Sequence, residues 1–264
     1  MCCLNDIPGG SISSPDAAGA TIASGEYPAV GVNSSVLDRA KVIIKFFKDK
    51  GKPVEFGIGV AGVWAAESNI KTDIFNKAEH NYGYAYKDKH APNANKLQYG
   101  GKTYYYDQAN MMAWGYGKGL AQWSWERNFQ FRDWYNAGAD GFKTSTLATM
   151  DVNAANITAT SVATQTAFAW KEMQARTGEF MTTVNGIQHA NPDDATKFKA
   201  NLTVAVDAVL RGFENGGKNK MASTKQIDKY TWDGGYTGAM KKRVGRAVGI
   251  YEELKKNHDP LLYS

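Results

Sequence analysis

The sequence predicts a mainly helical α+β domain that carries a small β-hairpin excursion and follows an extended N-terminal arm. Apolar residues recur at helical spacing in successive segments between about 34 and 256. Between 80 and 118 that pattern gives way to tyrosines interleaved with Gly, Asn and Lys. Residues 1–33 are rich in Gly, Ser, Ala and Pro and hold no sustained apolar period, so they cannot bury enough surface to offset their ordering entropy. They read either as a tail or as a tether that orders against a partner. The domain is expected over 34–264.

The first helix is expected from Ser34 or Ser35, either of which can cap it, with Val36, Ala40, Ile43, Ile44 and Phe47 on one face and Gly51 and Pro53 as its stop. Val54 to Ser68 is apolar and dotted with Gly57, Gly59, Ala61, Gly62, Ala65 and Ala66. It contains no turn dipeptide and reads as a buried helix packed closely against its neighbours, with Glu67 at its end. Leu97-Gln98-Tyr99, Gly100-Gly101 and Lys102 to Tyr106 read as a hairpin around a two-glycine turn. Further helices are expected over Ser124–Tyr135, Ser161–Arg176, Phe180–Ile187, Leu202–Phe213 and Thr237–Lys256, the last two each with one apolar stripe.

Several function classes fall away on composition. The chain has 264 residues, of which 43% are hydrophobic and 22% charged, with a net charge of +5. That excess suits an anionic surface but is too small to indicate nucleic acid. No apolar run is long enough for a transmembrane helix, so no membrane insertion is expected, and the start Met1-Cys2-Cys3 lacks the order of a secretory signal. The two cysteines are adjacent and cannot staple distant segments. No CxxC pair or H-E-x-x-H run exists, so neither a metal site nor a cofactor is expected. Gly212 to Asn219 nearly spells a phosphate loop, but Asn219 stands where Ser or Thr must hold magnesium. The cluster Lys241, Lys242, Arg243 and Arg246 is expected to be a solvated helix face, with attraction to an anionic polymer secondary.

Two motifs carry chemistry. Glu67 follows Val60, Val63, Trp64 and two alanines, where scarce water should raise its pKa and keep it protonated, as a proton donor to a glycosidic oxygen must be. The other reading is a helix-end glutamate pointing to solvent. About fifty residues on stands Gly119-Leu120-Ala121-Gln122-Trp123. Four of the seven tryptophans lie between Trp114 and Trp134, and eight of the fourteen tyrosines between Tyr82 and Tyr116. Such rings stack on sugar faces, although most are expected to be core or hairpin pairs.

A helix ending in Glu-Ser, a tyrosine-rich excursion, then Gly-Leu-x-Gln-Trp and a helix with Arg resembles the phage tail lysozyme family. More distantly it is similar to goose-type lysozymes and lytic transglycosylases. The matching residues are Gly62, Glu67, Ser68, Gly119, Leu120, Gln122, Trp123 and Arg127, with a weaker echo in Phe213-Glu214-Asn215 and in the closing helix Arg243–Leu254. Val63 departs from relatives that often carry Asn there.

The resemblance implies a lysozyme-like fold and a glycosidase that cuts the β-1,4 bond between N-acetylmuramic acid and N-acetylglucosamine in peptidoglycan. Glu67 would be the general acid. Ser68 and Gln122 would orient the helix end and contact substrate or water, and Tyr82, Tyr84, Trp114, Tyr116 and Trp123 would line the substrate site. Asp73, Asp107, Glu126 and Glu214 are all candidates for a second carboxylate, and hydrolysis and lytic transglycosylation both stay open. Without a signal peptide such an enzyme would travel in a virion, docked to tail proteins through residues 1–33, and act on the host wall during genome entry. A soluble endolysin released at lysis, or a catalytically weak wall-binding virion component, are the alternatives.

Overall fold

The computed structural model describes Tyr27 and residues 29–73, 96–105, 117–123, 126–143, 147–151, 157–176, 178–215, 220–228 and 234–263. Among these are nine α-helices and one two-stranded antiparallel hairpin. No described helix is long and apolar enough to cross a membrane.

Helix α1 spans Ser34–Asp49 and α2 spans Val54–Ser68. Asn33, rather than either serine, caps α1: its Oδ1 accepts from the Val36 N–H at 2.9 Å. An asparagine one position earlier satisfies the same orphan donor. Helix α2 is the axis of the domain, with Val54–Ala65 all buried. It packs against α1, against α6 (Ala195–Ala208) and against α8 (Gly235–Lys256). Small residues make this crowding possible. A Cβ on Gly59 would lie 2.6 Å from the Ala205 Cβ of α6, and one on Gly62 would lie 2.6 Å from the Ala247 Cβ of α8. The helix ends at Asn69, which takes the left-handed conformation at φ 51°. That stop fixes Glu67 in the last turn.

Strands β1 (Lys96–Tyr99) and β2 (Lys102–Tyr105) pair in the register Lys96↔Tyr105 and Tyr99↔Lys102. Gly100 and Gly101 both have positive φ, as the two-residue turn demands. The hairpin leans on α3 (Glu126–Asn136): the Tyr99 ring stacks on Phe129 at 5.0 Å and its hydroxyl donates to Asp133 at 2.6 Å. Helix α3 then packs its apolar face on α4 (Val162–Gln174), where Phe131 and Phe168 meet Trp123 edge-on and Trp134 packs on both of them. Burying each such ring contributes about 1.5–3 kcal/mol.

Helix α5 (Glu179–Gly186) precedes α6, which runs directly into a π-helical turn, Val209–Glu214. The short helices α7 (Thr224–Ile227) and α9 (Pro260–Tyr263) flank α8. The end of the N-terminal segment is seated on α8. The Val30 N–H donates to the Gly245 carbonyl at 2.9 Å, Arg246 donates to the Gly31 carbonyl at 2.8 Å, and Tyr27 is buried. Residues 1–26 lie outside the described residues.

Candidate functional site

The chain 117–123 closes on itself as a tight turn: Lys118 and Trp123 exchange two backbone hydrogen bonds of 2.9 Å. Gly119, at φ +69°, makes the turn possible and leaves room for one buried side chain. A Cβ there would stand 2.4 Å from the Gln165 Oε1 of α4. Gln165 Oε1 accepts from the Leu120 N–H at 2.8 Å, while its Nε2 donates to the Thr72 and Ile157 carbonyls and to the Thr160 hydroxyl at 3.1–3.3 Å. One fully buried amide therefore binds the turn to the chain that leaves α2 five residues after Glu67.

Glu67 stands at the end of α2 with its side chain 29% exposed, paired with the Arg243 guanidinium of α8. The apolar, dry surroundings expected for it are not found, because α2 ends there and Arg243 supplies a counter-ion. Arg243 itself was expected on a solvated face but is buried, its side chain only 7% exposed, because it shares the stripe of Ala239, Ala247 and Ile250.

At the site, the carboxyl whose pKa is raised is Glu214, part-buried at the end of the π-helical turn. It accepts from the Trp64 indole N–H at 3.3 Å. Burial pushes its pKa up to about 7; Arg127 pulls it down, Glu67 close by adds to the rise, and Arg243 and the Trp64 hydrogen bond oppose it. Among the described candidates for a second carboxylate, Glu214 is thus the one that feels Glu67. Glu126 is exposed and accepts from its own neighbour Gln130 at 3.0 Å, Asp73 is exposed, and Asp107 lies outside the described residues.

A third glutamate locks the next layer. Glu172 of α4 accepts two bonds from Arg127, at 2.8 and 2.9 Å, and one from the Trp123 indole at 2.7 Å. Burial opposes the charge on Arg127, but Glu172 outweighs it and holds the guanidinium above its ordinary range. Arg127 and Arg176 both approach the Phe213 ring, at 5.3 and 5.9 Å, and Arg176 also donates to the Phe213 carbonyl at 3.1 Å. Glu214 is thereby fixed by its immediate neighbour.

Two expected substrate contacts become supports. Trp123 is fully buried among Phe131 and Phe168, so no sugar can stack on it. Ser68 is 4% exposed and donates back to the Trp64 carbonyl at 3.1 Å, which steadies the helix end. Gln122 is partly exposed, with φ 49°, and its amide donates to the Gly119 carbonyl at 3.0 Å, bracing its own turn. Tyr82, Tyr84, Trp114 and Tyr116 lie outside the described residues. A cavity of about 680 Å³ opens on another face of α4, among Phe46, Tyr99, Asp133, Trp134 and Trp170, and contains none of the expected site residues.

Sequence reasoning missed Gln165, Glu172 and the inward role of Arg243. Buried Thr164-Gln165-Thr166 is a polar triplet inside an otherwise apolar helix, which is a readable signal. Nothing local marks Glu172.

Helices wrapped on one central α2, with acids gathered from α2, α4 and the π-helical turn, define a lysozyme-like domain. The chain belongs to the phage tail lysozyme family, whose model matches residues 38–233. No curated protein and no solved structure matches it. Membership implies a peptidoglycan-degrading virion enzyme.

Proposed function

We propose that this chain is a tail-borne muramidase that cuts the β-1,4 bond between N-acetylmuramic acid and N-acetylglucosamine, opening the host wall during genome entry. The observation that carries this reading is the placement of a solvent-reachable glutamate, Glu67, near a part-buried one, Glu214, which accepts from Trp64 one turn before Glu67, beside the turn that holds the family's Gly-Leu-x-Gln-Trp run. Glu67 is the residue that meets the glycosidic oxygen, and its partial exposure leaves the approach a glycan needs. Gln122, Tyr82, Tyr84, Trp114 and Tyr116 are the proposed substrate contacts. Residues before Tyr27 are the proposed attachment to tail proteins, supported by the firm seat of 29–32 on α8.

Glu67→Gln keeps the shape and removes the acid. It is expected to abolish clearing of purified peptidoglycan while the circular dichroism spectrum stays that of the folded protein, with a lowered melting temperature because the enclosed Arg243 loses its charged partner. Undiminished clearing by a folded variant rejects the assignment. Mass spectrometry of the released muropeptides reads the bond cut, and the mass of one water separates hydrolysis from an anhydro product.

A further inference from the structure

The cavity beside α4 is built separately from the cluster of acids around Glu67. Its α4 wall is Ala167, Trp170, Lys171 and Gln174, one helix face at i, i+3, i+4 and i+7. From the other face of α4, Gln165 and Glu172 reach the Leu120 N–H and Arg127. The end of α1 adds Phe46 and Lys50, the hairpin adds Tyr99, and α3 adds Asp133 and Trp134. Asp140 closes the wall from the turn that follows α3. At about 680 Å³ the space matches those that hold small molecules or short peptide segments.

Its carboxylates are held in place, and its cations are not. Asp133 accepts from the Tyr99 hydroxyl at 2.6 Å and from Arg132 at 2.7 Å. Asp140 accepts from the Trp134 indole N–H at 2.8 Å. The backbone is bent to bring Asp140 there: φ is positive at Gly138, Ala139, Asp140 and Gly141 in succession. Residues with a Cβ seldom hold such a conformation unless their surroundings impose it, and ligand sites are where it collects. Lys50 is exposed and lies over the Phe46 ring at 5.5 Å, and Lys171 is exposed as well. Among the described residues, neither ammonium has a carboxylate partner.

These features select the ligand. Trp134 and Trp170 are only 5% and 7% exposed, which leaves no open face on which a sugar ring could lie flat. Two fixed anions and two unengaged cations suit a molecule that carries both signs, and the rings between them suit short apolar side chains. A neutral glycan offers neither charge. We propose that this cavity binds a short peptide bearing ammonium and carboxylate groups, which in the substrate polymer is the peptide stem. This rests on the peptidoglycan reading and not on which glycosidic bond is cut. Lys50 and Lys171 take the carboxylates, and Asp133 and Asp140 take the ammonium. A domain that grips a stem on one face of α4 and cuts glycan on the other is held at two points. The second hold keeps a cut strand at high effective concentration near the acids.

The test is a titration of the full chain followed by its tryptophan indole ¹H–¹⁵N resonances. One probe is a synthetic pentapeptide stem with one lysine and a free C-terminal carboxylate; the other is a tetrasaccharide of N-acetylglucosamine. The pentapeptide is expected to shift the Trp134 and Trp170 signals and to saturate by about 10 mM. Lys50→Glu and Lys171→Glu, both at exposed positions, are each expected to weaken that binding by about tenfold or more, the remaining indole signals showing an intact fold. No shift of either indole with the pentapeptide overturns the proposal, and so does binding that survives both charge reversals. A tetrasaccharide that moves the same two signals as strongly also overturns it, because the site then reads sugar. Wild type that clears peptidoglycan without these shifts sinks this site and leaves the muramidase reading standing. Wild type that shows the shifts but never clears peptidoglycan sinks the muramidase reading and leaves the site.

Discussion

Arg243 and Glu67, separated by 176 residues in the chain, form an ion pair that ties the end of the central helix to the closing helix. Its two halves are unequal: the guanidinium is enclosed and the carboxylate is partly wet. An enclosed cation that loses its partner has nowhere to turn for water. The pair therefore constrains folding as well as chemistry, and exchange of either member has consequences that can be told apart.

Arg243→Met removes the cation and keeps much of the stem's packing. It is expected to cost about 1–2 kcal/mol, since the gain from one charge-assisted bond is reduced by the exposure of Glu67. Urea denaturation should show a lower midpoint at unchanged slope. An unchanged midpoint means the pair is idle.

Gly119→Ala places a methyl where the Gln165 carbonyl oxygen lies and strains a positive φ. A loss of about 1–3 kcal/mol is expected. Gln165→Ala should cost a similar amount by stranding the Leu120 N–H and its other partners. Because both changes damage one contact, the double variant should be clearly less unstable than the sum. Strict additivity in thermal denaturation would separate the two residues.

Glu214 makes stability depend on pH in a direction opposite to that of a salt-bridged acid. Its folded pKa of about 7 lies above the ordinary value of 4.5, so between those limits the folded state binds more protons than the unfolded one. Stability from this group is whole below pH 4.5 and is lost as pH rises to 7, by on the order of 3 kcal/mol. Glu214→Gln should flatten that stretch and gain on wild type at pH 8. Parallel curves for the two proteins across pH 4.5–8 would contradict the assignment.

Glu55 opens α2 at the end opposite Glu67 and is fully buried. Its carboxylate accepts from the Ala190 N–H at 2.7 Å, from Asn201 at 3.3 Å, and shares a 3.1 Å contact with His189 Nδ1. Glu55→Ala should cost about 2–3 kcal/mol by leaving those donors unpaired. The change lies roughly 18 Å along the helix from Glu67. Clearing per folded molecule at low temperature is therefore expected to stay within about twofold of wild type, and a larger drop would place Glu55 in the reaction.

The helices could be read because their apolar residues repeat at a helical interval, and α2 because its run is unbroken by turn residues. The end of α2 was also visible, and with it the place of Glu67. The surroundings of Glu67 were not: Trp64 and the alanines before it suggested dryness, but the carboxyl raised by burial is Glu214, whose neighbours come from α2, α3 and α8 together. Arg243 could have been found, since it occupies the apolar stripe of its own helix at the spacing of Ala239, Ala247 and Ile250. Glu172 could not, because its partners Arg127 and Trp123 are brought to it only by the packing of α3 and the turn against α4.

The segment 29–32 meets α8 at Gly245 and Arg246, within one turn of Arg243. Any mechanical load carried by the preceding chain thus enters the molecule on the rod that also clasps Glu67. Pulling there bears first on the junction between tether and helix, so the geometry of the cutting edge and the geometry of suspension share a single lever.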